Sequence, residues 1–211
     1  MNKAILLAGG NIANLDIIKE YIDNETALIC VDRGCDFALK YNLEIHIAIG
    51  DFDSINKTNY KKIVEKKVEQ LTFNADKDET DMQLALDYCY KSDFKKVYIF
   101  GALGTRLDHS MANIHFLHSY HDKFDELSII DDNNIIFLLE GETKLANKKG
   151  YNISFTYAFG RPLLTLTGVK WPLNQHEVIF GDSLTISNLI IDEFAYAKVE
   201  NGRCFCFYSK D

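Results

Sequence analysis

The sequence lacks any long hydrophobic run. Its first ten residues, MNKAILLAGG, contain an apolar stretch of only five residues before Gly9 and Gly10. This stretch is too short for a signal peptide or for a segment that crosses a bilayer, so we expect a cytoplasmic protein that does not contact a membrane. There are five cysteines, an odd number, and no two of them form a CxxC pair. Neither a disulfide framework nor a zinc knuckle is therefore expected.

The chain also lacks an excess of basic residues. Its formal net charge is -8, and no stripe of Lys and Arg is evident, whereas binding to nucleic acid needs positive surface. Nucleic acid is therefore not an expected partner. An acidic protein that binds an anionic nucleotide needs a cation or a few well-placed hydrogen-bond donors at the phosphates. The negative net charge therefore indicates a bound metal ion. No Gly-x4-Gly-Lys-Ser/Thr run occurs, so a P-loop kinase is not indicated.

What is present is the composition of a soluble globular protein, with 47% hydrophobic and 26% charged residues. Through about residue 122, short apolar runs alternate with helical patterns, which is typical of a βαβ protein. After about residue 126, strand-like runs recur between glycines, which predicts an all-β sandwich or small barrel. We predict an α/β N-terminal domain with a mostly parallel, Rossmann-like sheet over residues 1–126, and an all-β C-terminal sandwich over residues 127–211.

The predicted strands are residues 3–7, 27–31, 47–49, 68–72 and 96–100 in the first domain, and 127–130, 135–139, 153–157, 163–166, 183–186, 195–199 and 204–208 in the second. Two helices are predicted next to polar motifs. One begins at the Thr-x-x-Gln capping box of residues 80–83. The other places Leu107, Met111, Ile114 and Leu117 on one apolar face.

A pair of carboxylates follows the third predicted strand, in Gly50-Asp51-Phe52-Asp53-Ser54. Alternate residues of a strand point to the same side, about 7 Å apart. Two carboxylates within ~4 Å would repel by about 4 kcal/mol at an effective dielectric constant near 20, so a cation, a shared proton or basic partners must hold them there. Mg²⁺, which binds a few carboxylates together with substrate phosphates, meets this need. An Asx-type turn at a strand end is the alternative interpretation.

Acidic residues are also concentrated in Asp76-Lys77-Asp78-Glu79-Thr80-Asp81, at the entrance of a predicted helix. Helix capping and the helix dipole explain one or two of these acids without any ligand. The segment contains four acids, more than capping explains. This number favours a third carboxylate ligand for the same metal, and Asp81 is the preferred candidate.

A glycine-bearing turn between a strand and a helix spans residues 101–109, Gly-Ala-Leu-Gly-Thr-Arg-Leu-Asp-His. Glycines let backbone amides approach phosphate oxygens, and Arg106 can make bidentate contacts to phosphate. An ordinary strand-to-helix turn with Asp108 as the helix cap explains the same residues equally well.

Taken in order, these motifs and Asp32-Arg33-Gly34 resemble the thiamine pyrophosphokinase family. Residues 167–173, Thr-Gly-Val-Lys-Trp-Pro-Leu, and Ile186-Ser187-Asn188 resemble that family too. The resemblance implies a catalytic α/β domain that binds ATP and Mg²⁺, and a β-sandwich that helps to bind thiamine. It also implies a homodimer with sites at the subunit interface, and transfer of a pyrophosphoryl group from ATP to the hydroxyl of thiamine with release of AMP.

The resemblance also assigns individual residues. The implied magnesium ligands are Asp51, Asp53 and Asp81, which with Arg106 and Asp108 form the implied catalytic set. The implied ATP site contains Asp32, Gly34, Lys77, Thr80, Gly104, Arg106, Asp108 and His109. Trp171, Ser187 and Asn188 are implied for thiamine. Asp108 could accept the hydroxyl proton or could serve only as an ATP-site or helix-cap residue.

The sequence departs from the family pattern at two positions. It has Asp32-Arg33-Gly34-Cys35 where the family often has Asp-Gly-Gly-Ala, and Trp171 where Tyr is often found. Neither departure removes a carboxylate. Two other functions stay open: a phosphatase of the haloacid dehalogenase type, which also uses an Asp-x-Asp pair at a strand end, and a non-catalytic module that senses a nucleotide or thiamine.

Overall fold

Strands and helices alternate through the first part of the chain. A computed structural model describes residues 1–12, 14–73 and 78–211. The chain divides into two units, Met1–Asp132 and Asn133–Asp211. Of the predicted site residues, Lys77 lies outside the described residues, as does Asp76 of the same motif.

The first unit is an α/β structure. Its elements are β1 Lys3–Leu7, α1 Leu15–Tyr21, β2 Thr26–Val31, α2 Gly34–Lys40, β3 Ile47–Gly50, α3 Lys57–Glu65, β4 Glu69–Thr72, α4 Asp81–Lys91, β5 Lys96–Phe100, α5 Leu107–Ser119 and β6 Glu126–Ile130. The strand order is β4-β3-β2-β1-β5-β6, and the five pairings within it are parallel. Strand β2 is buried along its whole length, as expected for a strand covered on both faces.

The division between the units lies after the boundary expected from the sequence. We predicted residues 127–130 to be the first strand of the β domain, but β6 pairs in parallel with β5 and belongs to the first unit. A buried apolar run of this length carries no periodicity that distinguishes a parallel strand from an antiparallel one.

Helix α5 forms where it was predicted but buries a different face. Leu107 is 74% exposed and Met111 is 52% exposed, whereas Ser110 and Asn113 are buried together with Leu117. The predicted apolar face is therefore wrong over the first half of the helix. The reason is local: the side chains of Ser110 and Asn113 point inward and form hydrogen bonds with the loop that precedes the helix.

The second unit is all β. It contains β7 Asn134–Ala146, β8 Asn152–Thr167, β9 Leu173–Glu177 and β10 Phe194–Ser209, in the order β7-β10-β8-β9 with antiparallel pairing. The predicted runs 153–157 and 163–166 are both parts of β8, and the runs 195–199 and 204–208 are both parts of β10. Register shifts interrupt the pairing of β8 with β10 near Gly160 and Gly202, so these glycines lie at irregularities within strands and not between separate strands.

Residues 183–186 form turns instead of the predicted strand. The Ile186 N–H donates to the Ser183 carbonyl at 3.3 Å, and the Thr185 hydroxyl donates to the Phe155 carbonyl at 2.6 Å. Both ends of β8 contribute to one core, which includes Ile153, Phe155, Leu164 and Leu166. Among the described residues of the whole chain, no helix is both long enough and apolar enough to cross a membrane.

Candidate active site

The predicted carboxylates of the first unit lie beyond the carboxyl ends of its parallel strands. Asp32 directly follows β2, Asp51 directly follows β3, and Asp81 is the first residue of α4. Because β2 and β3 are paired neighbours, their ends bring Asp32 and Asp51 to the same edge of the sheet. This edge is where ligands bind in open α/β sheets.

The side chains of Asp32 and Asp81 are in hydrogen-bond contact. The pKa of Asp32 is raised to about 7, first by burial, then by a side-chain hydrogen bond with Asp81 and by the negative charges of Asp81 and Asp51. Its Oδ1 atom is buried and accepts no hydrogen bond from the residues that the structure describes. A buried acceptor oxygen among like charges is costly unless a proton or a cation compensates it.

Asp53 is exposed and is coupled to the same charges. The negative charge of Asp51 is the main cause that raises the pKa of Asp53, and the charge of Asp81 adds to it. The Asp53 N–H also donates to Asp51 Oδ1 at 3.0 Å. The Asx-type turn is therefore present, and it coexists with the electrostatic coupling of the carboxylates.

The backbone around these carboxylates has a positive φ at three residues, Asp32, Phe52 and Gly50. Asp32 has φ 45° and Phe52 has φ 60°, both in the left-handed region that non-glycine residues rarely adopt. Gly50 has φ +144°, and a Cβ atom on it would lie 1.9 Å from Asp32 Oδ1. Strained backbone of this kind is concentrated at functional sites.

These residues fit a hard divalent cation. Mg²⁺ binds oxygen ligands and is usually held by one or two carboxylates plus substrate phosphates, and a cation would compensate both the buried Asp32 oxygen and the repulsion around Asp51. The resemblance assigns Asp32 to the ATP site, and the structure places it in contact with Asp81 and near the charge of Asp51. In the sequence, Asp32 stands at the end of a predicted strand and in the Asp32-Arg33-Gly34 motif that contributes to the family resemblance.

The loop after β5 is held by side chains of α5. The Gly104 N–H donates to Ser110 Oγ at 3.1 Å, and Asn113 Nδ2 donates to the Ala102 carbonyl at 2.7 Å. The predicted phosphate contact through the Gly104 amide would therefore compete with Ser110. Sequence reasoning missed Ser110 and Asn113; two polar residues three positions apart in a helix directly after a glycine-bearing loop were the available signal.

Arg106 and Asp108 form an exposed ion pair at the start of α5. Arg106 Nη2 lies 2.6 Å from Asp108 Oδ2, and the two side chains are 69% and 65% exposed. Arg106 itself occupies the N-cap position, so the interpretation of Asp108 as the cap is wrong. Its hydrogen bond with Arg106 is the main cause that lowers the pKa of Asp108 to about 2. His109 next to it is exposed.

Two other predicted ATP-site residues have structural contacts. Thr80 is the N-cap of α4 and its hydroxyl accepts the Gln83 N–H at 3.2 Å, which confirms the predicted cap. Gly34 packs so closely against β1 that a Cβ on it would lie 1.7 Å from the Leu7 carbonyl oxygen.

In the second unit, the structure brings Trp171 and Asn188 together. The Asn188 side chain accepts the Trp171 N–H at 3.2 Å and donates to the Trp171 carbonyl at 2.7 Å. Asn188 is buried while the Trp171 side chain is 52% exposed, and Lys170 Nζ lies 4.5 Å from the indole ring. Ser187 is exposed with φ 60°. The amide of Asn188 therefore anchors the backbone of an exposed indole ring.

Comparison with known proteins agrees with this arrangement. Residues 18–130 match the model of the thiamin pyrophosphokinase catalytic domain, and residues 142–203 match that of the thiamin pyrophosphokinase vitamin B1 binding domain. The thiamine pyrophosphokinase of Bacillus subtilis is 32% identical over 92% of this chain and 93% of its own length.

Solved structures give the same result for the fold. A crystal structure of thiamine pyrophosphokinase from Bacillus subtilis has a TM-score of 0.89 at 30% identity, covering 99% of both chains. One from Geobacillus thermodenitrificans has a TM-score of 0.87 at 27% identity, covering 99% of this chain and 98% of that one. These similarities place the chain among the transferases of the diphosphokinase class. More narrowly, it belongs to the thiamin pyrophosphokinase family, because both family domains and a relative above 30% identity match it over nearly its whole length.

Proposed function

We propose that this protein transfers the pyrophosphoryl group of ATP to the hydroxyl of thiamine, in a reaction that depends on Mg²⁺. The thiamine hydroxyl attacks the β-phosphorus, the bond to the α-phosphate breaks, and AMP leaves with the electron pair as thiamine diphosphate forms. One observation carries the proposal: in a chain of this family, Asp32, Asp51 and Asp81 meet at the carboxyl edge of the sheet around a buried oxygen that no described residue binds.

In this proposal Asp51, Asp53 and Asp81 hold the magnesium ion, and Asp32 joins them. The bound ion would neutralise charge on the transferred group, which is the main requirement of phosphoryl transfer. The carboxylates would orient the ion, and because Asp32 is largely buried it would keep water from one side of the carboxylate cluster. The role of Lys77 in binding ATP stays a prediction from the sequence.

Arg106 is proposed to bind the phosphates of ATP. Its ion pair with Asp108 is exposed, so the guanidinium can exchange that partner for phosphate oxygens without burying a charge. The low pKa of Asp108, about 2, makes it a weak base at neutral pH. We therefore propose that Asp108 orients Arg106 rather than removing the proton of the thiamine hydroxyl.

Thiamine binding is proposed for the exposed face of Trp171. An indole ring attracts cationic ligands through its π face, and thiamine carries a permanent positive charge on its thiazolium ring. Asn188 keeps the ring in place through its two bonds to the Trp171 backbone, while Ser187, which precedes Asn188 in the chain, offers an exposed hydroxyl.

A homodimer is part of the proposal. Several large apolar side chains of the segment between β9 and β10 are exposed, among them Phe180 at 88%, Leu184 at 64% and Ile191 at 62%. Apolar side chains exposed together commonly mark a protein interface, and a second copy of this chain is the proposed occupant. Sedimentation of the wild-type chain and of Phe180→Asp tests this, and a monomeric wild type would contradict it.

We also propose a Rossmann-like arrangement for the first unit and a sandwich arrangement for the second. The proposed location is the cytoplasm, without nucleic acid or membrane partners. The parallel pairings of β1 to β6 support the first. The core shared by both ends of β8 supports the second.

The direct test incubates the purified protein with ATP, Mg²⁺ and thiamine and separates the products by chromatography, with EDTA and thiamine-free controls. Equimolar AMP and thiamine diphosphate, abolished by EDTA, are expected. ADP or free phosphate without a thiamine product would overturn the proposal and favour the phosphatase. Ligand-induced stabilisation without turnover would favour the sensing module.

A further inference from the structure

The start of helix α3, which follows the turn that carries Asp51 and Asp53, is tied to helix α2 by the side chain of Asp36. Asp36, in the first turn of α2, accepts a hydrogen bond from Asn59 Nδ2 at 2.8 Å. It also accepts the Asn56 N–H, which lies 3.3 Å from each carboxylate oxygen. Because Asn56 is the N-cap of α3, the Asp36 carboxylate holds the beginning of α3 against α2.

These bonds connect two turns of the candidate site. Asp32 directly precedes Arg33, the N-cap of α2, and Asp51 and Asp53 lie in the short segment between β3 and Asn56. The segment has a second attachment to α3, because the Phe52 and Tyr60 rings lie 5.6 Å apart. A shift of the start of α3 away from α2 would therefore move the Asp51 turn relative to Asp32.

We infer that Asp36 is a positioning residue, which sets the distance between Asp32 and the Asp51 turn so that a divalent cation can bind them together. The identity of the cation and the reaction rest on the proposed function; the tether does not. Groups that hydrogen-bond metal ligands directly typically contribute about 10- to 100-fold in metal affinity, and Asp36, which acts through Asn56 and Asn59, is expected at the lower end of that range.

A matched control exists within the chain. Asp16 occupies the first turn of α1, which has seven residues like α2, and its side chain pairs only with Lys19 of its own helix among the contacts of the described residues. Asp16→Ala therefore removes a carboxylate and its interaction with a helix dipole without releasing a second element. Asp36→Asn keeps an acceptor oxygen for Asn56 and Asn59 but removes the charge.

Mn²⁺ binding measures this role without turnover. The free Mn²⁺ signal is followed by electron paramagnetic resonance with wild type and each variant, in the presence of α,β-methylene ATP, whose carbon bridge cannot be cleaved. We expect Asp36→Ala to weaken Mn²⁺ binding about tenfold. Asp36→Asn should keep most of the affinity, and Asp16→Ala all of it.

Wild-type affinity in Asp36→Ala would overturn the inference. An Asp36→Asn variant as weak as Asp36→Ala would do so too, since charge and not the tether would then be the cause. If circular dichroism shows that Asp36→Ala does not fold, Asn59→Ala replaces it, and unchanged Mn²⁺ affinity in that variant overturns the inference. A wild type that binds Mn²⁺ but makes no thiamine diphosphate would contradict the proposed function alone.

Discussion

A side chain on Gly50 would occupy the space that holds Asp32 Oδ1, since its Cβ atom would lie 1.9 Å from that oxygen. The end of β3 therefore needs glycine for two reasons, the φ of +144° and the contact with Asp32. We expect Gly50→Ala to cost about 1–3 kcal/mol of unfolding free energy and to reduce turnover at least about tenfold by displacing Asp32. Urea denaturation and the thiamine diphosphate assay measure the two effects.

Gly150→Ala is the control for Gly50→Ala. Gly150 also has a positive φ, +83°, but nothing lies within 4 Å of the Cβ that it would gain. This variant should lose stability through the backbone alone and keep its turnover. Equal turnover in Gly50→Ala and Gly150→Ala would show that Asp32 does not need the space beside Gly50.

The raised pKa of Asp32 predicts how the metal-free protein responds to pH. The carboxyl titrates near 3.8 when unperturbed and at about 7 in the folded protein, so between these values the folded state binds more protons than the unfolded state. The free energy of unfolding should therefore fall as pH rises from about 4 to about 7 and then level off. Urea denaturation in EDTA at pH 5, 6, 7 and 8 measures this.

Asp32→Asn should abolish the fall in the free energy of unfolding between about pH 4 and pH 7. Asp125→Asn, at an exposed position, is the control and should keep that fall. Mg²⁺ should reverse the trend in wild type, stabilising the protein more at pH 8 than at pH 5, because a cation binds the ionised carboxylates. Identical pH profiles for wild type and Asp32→Asn would contradict the contact between Asp32 and Asp81.

Residues whose roles depend on local pattern were predictable from the sequence, and residues whose roles depend on long-range contacts were not. The Thr80 cap, the turn at Asp51 and the strands of the first unit follow from short segments. The contact of Asp32 with Asp81 depends on the parallel order of the strands. The inward Ser110 and Asn113 depend on a neighbouring loop that needs hydrogen-bond donors and acceptors, a need that outweighs the apolar period of α5.

Trp171 is the only tryptophan of the sequence, so its fluorescence reports directly on the proposed thiamine site. Because the side chain is 52% exposed, acrylamide should quench it readily in the free protein, and thiamine should protect it. Asn188→Ala should lower the free energy of unfolding by about 1–3 kcal/mol, since it removes both hydrogen bonds to the Trp171 backbone. It should also raise the KM for thiamine while the KM for ATP stays unchanged. Quenching that thiamine does not alter would place the vitamin elsewhere.

Asp51→Asn and Asp53→Asn test the proposed metal ligands individually. Each substitution keeps the size of the side chain but removes a negative charge that would hold the cation, so turnover should fall at least ~100-fold, equivalent to about 2.7 kcal/mol of transition-state stabilisation. The fold should persist, because Asp53 is exposed and an Asn at position 51 can still accept the hydrogen bond of the Asx-type turn.

Asp16→Asn, on the surface of α1, is the control and should keep wild-type turnover. Since Mg²⁺ bound through fewer carboxylates binds more weakly, raising its concentration should recover part of the activity in both variants. Wild-type turnover in both would remove these carboxylates from the metal site and leave Asp32 and Asp81 to hold it.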